Sequence, residues 1–296
     1  MHNSDAPTYL SPADYAIQTR FSDPGVHAGL YDDLPAGVPG IAAVVRNLLI
    51  HYRGGGIEFT GERLAEIDHR WVSAMLGTDQ KRNGRPLAEP REPFDRIVGC
   101  CRDYTLLFVS MLRHQGIPAR SRIGFADYFT SGYNHDHVVA EYWNGDRWVM
   151  IDAELEPGDR PFDVQDMPAG PFPSAAEVWL GIRAGDLDPD LYGIGPGQPI
   201  GGGWFVRNYV HYELAHLNGD ELLLWDNWGD MSDTLEGADL ALTDEVARLL
   251  LASGNGDAAA TKQVNNLYRT NPSLTFAGRS FITSPAGGPF RLIDLE

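Results

Sequence analysis

From Cys101 the apolar residues Tyr104, Leu107, Phe108, Met111 and Leu112 recur every three or four positions, the period that sets them on one face of a helix. Gly116 ends that run and Pro118 prevents its resumption, so Cys101 falls at or near a helix N-terminus. Arg120 to Phe125 reads as a short strand, followed by a loop rich in Gly, Tyr and Asn that ends near His135. Two alternating runs come next, His137 to Trp143 and Arg147 to Ala153, split by Asn144-Gly145, a strong hairpin signal. With Asn144 and Gly145 as the two central turn residues, Trp143 faces Asp146. His137 then faces Asp152.

Elsewhere the pattern is coarser. Residues up to about Ser22 look irregular or partly helical, Ile41 to Tyr52 and Leu64 to Leu76 suit helices, and Lys81 to Pro93 is a polar, proline-bearing loop. Prolines and glycines are dense from Glu156 to Gly203, which predicts a long irregular connection. Val206 to Leu217, Asp244 to Ala252 with Thr243 as N-cap, and Ala258 to Tyr268 suit helices. Phe281 to Leu295 carries short strand-like pieces. No internal repeat or low-complexity tract interrupts the chain.

A hydrophobic share of 43% over 296 residues is ample for a real core. The net charge of −18 disfavours nucleic acid and anionic membranes as partners and favours cationic or amine-bearing molecules near the surface. The chain has two cysteines, and they are adjacent, which rules out a long-range disulfide framework and fits a reducing compartment. The first residues have neither a basic nor an apolar leader region, and no apolar run approaches a membrane span. A cytoplasmic location is expected.

The chemistry concentrates between Gly99 and Ala153. A thiol at a helix N-terminus meets unpaired N–H groups and the positive end of the macrodipole, which should lower its pKa and make Cys101 a nucleophile. A carboxylate directly across from His137 could fix one imidazole tautomer and support its protonated form, the task of the third member of a catalytic triad. Cys100 reads as a packing residue.

Gly-x-Cys-Arg-Asp-Tyr opening an apolar helix, Gly116-Ile117-Pro118-Ala119-Arg120, His-x-x-x-Glu-Tyr from His137 and Trp-x-x-x-Asp ending at Asp152 together resemble the transglutaminase-like superfamily. The resemblance runs from Phe94 to Ala153. It implies Cys101 as nucleophile, His137 as general base and acid, and Asp152 as the orienting carboxylate. It also implies an α+β, papain-like fold with the cysteine helix packed on an antiparallel sheet and helical extensions at both ends. One departure is Val139, where an aromatic residue is usual two positions after the histidine.

The expected organisation is an N-terminal helical part (1–93), the catalytic core (94–155), the Gly/Pro-rich connection (156–203) and a mixed helical extension (204–296). The expected activity is attack on a carboxamide or amide through a thioester, with transfer to an amine or to water. The alternatives are a protease or amidase that hydrolyses a peptide or amide, and a non-catalytic binding module. The substrate would be a protein, peptide or small-molecule amide, with an amine as second substrate. No cofactor and no metal are expected. Adjacent cysteines chelate one ion awkwardly, and the run Asp186, Asp188, Asp190 lacks the glycine and closing glutamate of a calcium loop. Trp204, Trp225 and Trp228 are candidates for a cleft wall, with core packing favoured.

Overall fold

A computed structural model describes residues 9–295. Helix α1 (Val38–Leu48) runs directly into strand β1 (Leu49–His51). Short helix α2 (Gly61–Leu64), a 3-10 turn at Ala65–Asp68 and α3 (Val72–Arg82) lead to β2 (Ile97–Gly99), which pairs with β1 in parallel. Two sequence expectations are corrected here. The helix read over Ile41–Tyr52 ends at Leu48, because Leu49, Ile50 and His51 pair with Ile97, Val98 and Gly99. Tertiary pairing overrides a local apolar period there. The helix read over Leu64–Leu76 breaks at His69–Trp71 and resumes as α3.

Helix α4 (Cys101–His114) is buried around its whole circumference, with Leu107, Phe108 and Leu112 fully enclosed. Each such side chain contributes roughly 1.5–3 kcal/mol of burial free energy. The polar residues on its other face are buried too, and satisfied. Arg102 donates to the carbonyls of His69, Arg70 and Glu221 and pairs with Asp103, while Arg113 donates to the Tyr15 and Ala119 carbonyls. Cys100 is the N-cap, and its N–H donates to Asp103 Oδ2 at 2.8 Å.

The main sheet runs β3 (Ala119–Thr130), β4 (Tyr133–Trp143), β5 (Trp148–Ile151), all antiparallel, with β6 (Tyr192–Gly193) parallel to the start of β4. The loop expected before His135 is instead strand on both sides of a tight turn at Ser131-Gly132, where Gly132 supplies the positive φ of 77°.

The hairpin register is also corrected. Trp143 faces Trp148 and Ala140 faces Ile151, an offset of two residues from the register read in the sequence. The cause lies in the turn: Asn144 Oδ1 accepts the N–H groups of Asp146 and Arg147, and the Asn144 N–H donates to the Arg147 carbonyl. Gly145 and Asp146 are therefore the central pair, with Gly145 at φ 101° in the first central position, as a type II′ turn requires. An offset of two preserves the facing of every side chain, so Asp152 stays on the side of His137.

The connection 156–203 is not irregular throughout. Helix α5 (Ala175–Ala184) lies within it, started by a capping box between Ser174 and Glu177 and ended by Gly185 in the left-handed conformation. Helix α6 (Gly203–Leu217) follows, then β7 (Asp226–Asn227), α7 (Leu240–Gly254), α8 (Ala258–Thr270), β8 (Arg279–Ile282) and β9 (Arg291–Asp294). The cap of α7 is Asp239 rather than Thr243. Among the described residues no helix is long and apolar enough to cross a membrane.

Candidate active site

Cys101 is the first residue of α4, and His137 lies near the middle of β4, opposite Gly124 of β3. Along β4 Val138 and Ala140 join the main core, whereas Val139 joins a separate cluster with Ala126, Met167 and Phe172. By the two-residue period His137 shares the face of Val139. Its ring meets Phe129 edge-on at 5.0 Å, Tyr128 at 6.0 Å and Phe172 at 6.2 Å between centroids. A side chain at Gly124 would lie 2.4 Å from the Pro173 carbonyl oxygen, so glycine there admits the segment that carries Phe172.

Asp152 leaves the end of β5, where its N–H donates to the Val164 carbonyl at 2.9 Å. Its Oδ2 is 2.8 Å from His137 Nε2 and accepts the Tyr128 hydroxyl at 2.9 Å; its Oδ1 accepts the Glu154 N–H at 3.0 Å. Both His137 and Asp152 are buried. With Nε2 on the carboxylate, Nδ1 is the ring nitrogen left for a reacting proton.

The electrostatics follow from burial and neighbours. Burial alone would depress the His137 imidazole, but Asp152, with Glu154 and Asp136 behind it, raises its pKa above the ordinary value. Burial would raise Asp152, yet His137 and Tyr128 hold it below the usual range. Burial pushes Glu154 up to about 7, and its enclosed Oε2 has no hydrogen-bond partner among the described residues.

The thiol departs from the sequence reading. Hydrogen bonding to Cys100 and burial, reinforced by Glu154 and Asp136, raise Cys101 well above its ordinary pKa, where the helix terminus led us to expect a lowered one. The hydrogen bond to Cys100 and desolvation by burial raise the thiol pKa where a helix N-terminus alone would lower it. The raised thiol pKa favours the neutral form of Cys101 near neutral pH.

Cys101, His137 and Glu154 line one cavity of about 410 Å³. Its opposite wall is aromatic, with Trp204, Phe205, Tyr209 and Tyr212 from α6 and Trp225 beyond it. Trp228 instead packs in the core and donates Nε1 to the Leu274 carbonyl at 2.8 Å. Cys100 packs with a second apolar cluster of Ile50, Val98 and Leu223 and Cys101 with the main core, yet both cysteines line the same cavity.

Residues 62–153 match the model of the transglutaminase-like superfamily. This transglutaminase-like segment reaches further toward the N-terminus than the motifs suggest, and it takes in α2, α3, α4 and the sheet through β5. It is under a third of the chain, and the aromatic cavity wall lies outside it. The fold is the expected α+β, papain-like one, with the cysteine helix against an antiparallel sheet. A solved structure of a candidate cysteine protease from Cytophaga hutchinsonii aligns with 18% identity and a TM-score of 0.33, over 48% of this chain and 42% of that one. This chain thus spans less than half the length of that protein. No curated protein matches significantly.

Several site residues escaped the sequence reading. His135 Nε2 meets Thr130 Oγ1 at 2.8 Å. Tyr128 and Glu154 contact Asp152 from positions that read as loop, and only the true extent of β3 would have disclosed Tyr128. Asp188 accepts the Asp190 N–H at 3.0 Å, a cap for the 3-10 turn Pro189–Leu191.

Proposed function

We propose that the protein is a cysteine-dependent acyl enzyme acting on an amide or carboxamide through a Cys101 thioester. The observation that carries this reading is the buried 2.8 Å hydrogen bond from His137 to Asp152, with His137 lining the same cavity as Cys101 at a helix N-terminus. Cys101 Sγ attacks the carbonyl carbon as His137 Nδ1 takes the thiol proton. The carbonyl electrons move to oxygen, then return to expel the amine, which receives the proton from His137. Asp152 keeps the proton-bearing Nε2 in place and supports the imidazolium. The thioester is next attacked by an amine or by water.

The aromatic wall supports an acyl donor with a bulky apolar part, and a largely apolar cavity disfavours water as acceptor, so transfer to an amine is the favoured outcome. The adjacency of the only two cysteines supports a reducing, cytoplasmic setting. The test is ammonia release from a glutaminyl peptide library, with and without added amine, using Cys101→Ala as control. Ammonia release with amine conjugates is expected. Cleavage of peptide anilides without ammonia release or conjugates would assign a hydrolase instead. Activity retained in Cys101→Ala would refute the reading.

A further inference from the structure

Attack on an amide carbonyl places negative charge on its oxygen, and a cysteine enzyme needs two donors aimed at that point. The Cys101 N–H is one, since first-turn N–H groups of a helix have no partner within it. The remainder of the cavity offers His51. It ends β1, directly across from Gly99 of β2, two residues before the nucleophile. Along β1 Leu49 belongs to the main core with Cys101, and Ile50 to the second cluster with Cys100. The two-residue period therefore turns His51 toward the side of Cys101, and both line the cavity.

The imidazole is held in one state. His51 Nδ1 accepts two backbone N–H groups, from Arg53 at 3.1 Å and Gly54 at 3.0 Å. An atom that accepts twice carries no proton, so the proton is on Nε2. That Nε2 has no protein partner among the described residues. The ring is stacked on Tyr52 at 5.2 Å between centroids, and the Gly55 N–H closes the turn on the His51 carbonyl at 2.8 Å. A Cβ at Gly55 would lie 2.7 Å from that carbonyl, so the turn that fixes the ring tolerates no side chain there. Burial, with His137 and Arg53 as positive neighbours, lowers the ring to about 3 and keeps it a neutral donor through the working range. Three other donors of the cavity are committed: Trp225 Nε1 to Asp68, Asn208 Nδ2 to the Ser232 carbonyl, and the Tyr209 hydroxyl to Asp136.

We propose that His51 Nε2–H and the Cys101 backbone N–H together bind the oxyanion of the tetrahedral intermediate. The inference rests on the acyl-enzyme reading. His51 gives up no proton; the C–S bond forms, the carbonyl electron pair moves to oxygen, and two hydrogen bonds receive it until the C–N bond breaks.

The test compares wild type, His51→Phe and His51→Gln for acylation by acyl p-nitrophenyl esters and anilides, and separately for iodoacetamide alkylation of Cys101, which develops no oxyanion. Removing one such donor is expected to cost about 10²–10³ in the acylation rate. KM should change little, and His51→Gln, which retains an N–H at similar reach, should recover at least tenfold. Alkylation should stay within about threefold. Acylation unchanged in a folded His51→Phe variant, no recovery in His51→Gln, or alkylation falling in step with acylation would each overturn the assignment while leaving the acyl-enzyme reading intact. Wild type that alkylates at Cys101 yet acylates with no ester or anilide would overturn both.

Discussion

Replacing Asp152 with Asn changes one atom and should disable the enzyme. The carboxylate accepts three donors: His137 and the Tyr128 hydroxyl on Oδ2, and the Glu154 N–H on Oδ1. An asparagine keeps one acceptor oxygen. If that oxygen remains on the Glu154 N–H, the NH₂ group confronts His137 Nε2, which can accept it only as the other tautomer. Nδ1 then carries the proton and cannot take one from Cys101. The lost charge adds to this, because unit charges near 4 Å at an effective dielectric of 20 interact by about 4 kcal/mol. At 1.36 kcal/mol per decade that is about 10³ in rate, and with tautomer exchange the expected loss in kcat is on the order of 10²–10⁴. The assay is steady-state turnover across pH beside thermal melting. A variant that melts like wild type and keeps kcat within tenfold would refute the orienting role.

Two further outcomes follow from the charge environment. Since the hydrogen bond to Cys100 and burial hold the Cys101 thiol up, iodoacetamide labelling should be slow at neutral pH and still climb past pH 9; a rate flat from pH 6 to 9 would reveal a preformed thiolate. Burial would raise Glu141, but Arg120 and Arg122 bring it from 4.5 down to about 2, which corresponds to about 3 kcal/mol of stability. A depressed carboxyl stabilises above its unfolded pKa and loses that contribution as pH falls toward its folded one. Glu141→Gln should therefore be less stable than wild type at pH 7 in urea, with the gap narrowing below pH 4.5; a gap of equal size at pH 3 would contradict the pairing.

The cysteine helix and its N-terminus were legible because an apolar period, a stop glycine and a proline agree locally. The pairing of His137 with Asp152 survived a wrong register, since a turn centred one residue later displaces the strand by two and leaves parity untouched. What could not be read depends on distant partners. Leu49 to His51 look helical until Ile97 to Gly99 arrive beside them, so His51 had no signal as a strand residue. The thiol was misjudged for a similar reason: the helix N-terminus is written in the sequence, whereas the hydrogen bond to Cys100 and the full burial that raise its pKa are set by the fold.

Glu221 draws remote stretches of the chain to one point. Its carbonyl receives Arg102, and its carboxylate meets Arg113 of the same helix and the Thr19 hydroxyl near the N-terminus. The superfamily-matching segment is consequently not a module that can be excised. A truncation after residue 153 would leave the buried guanidinium groups of Arg102 and Arg113 without Glu221, which anchors the first and neutralises the second. Domain swaps and minimal expression fragments built on the matched boundaries would start from a destabilised helix. Segments on both sides of the matched region, around Tyr15 to Thr19 and at Glu221, close on the helix that carries Cys101.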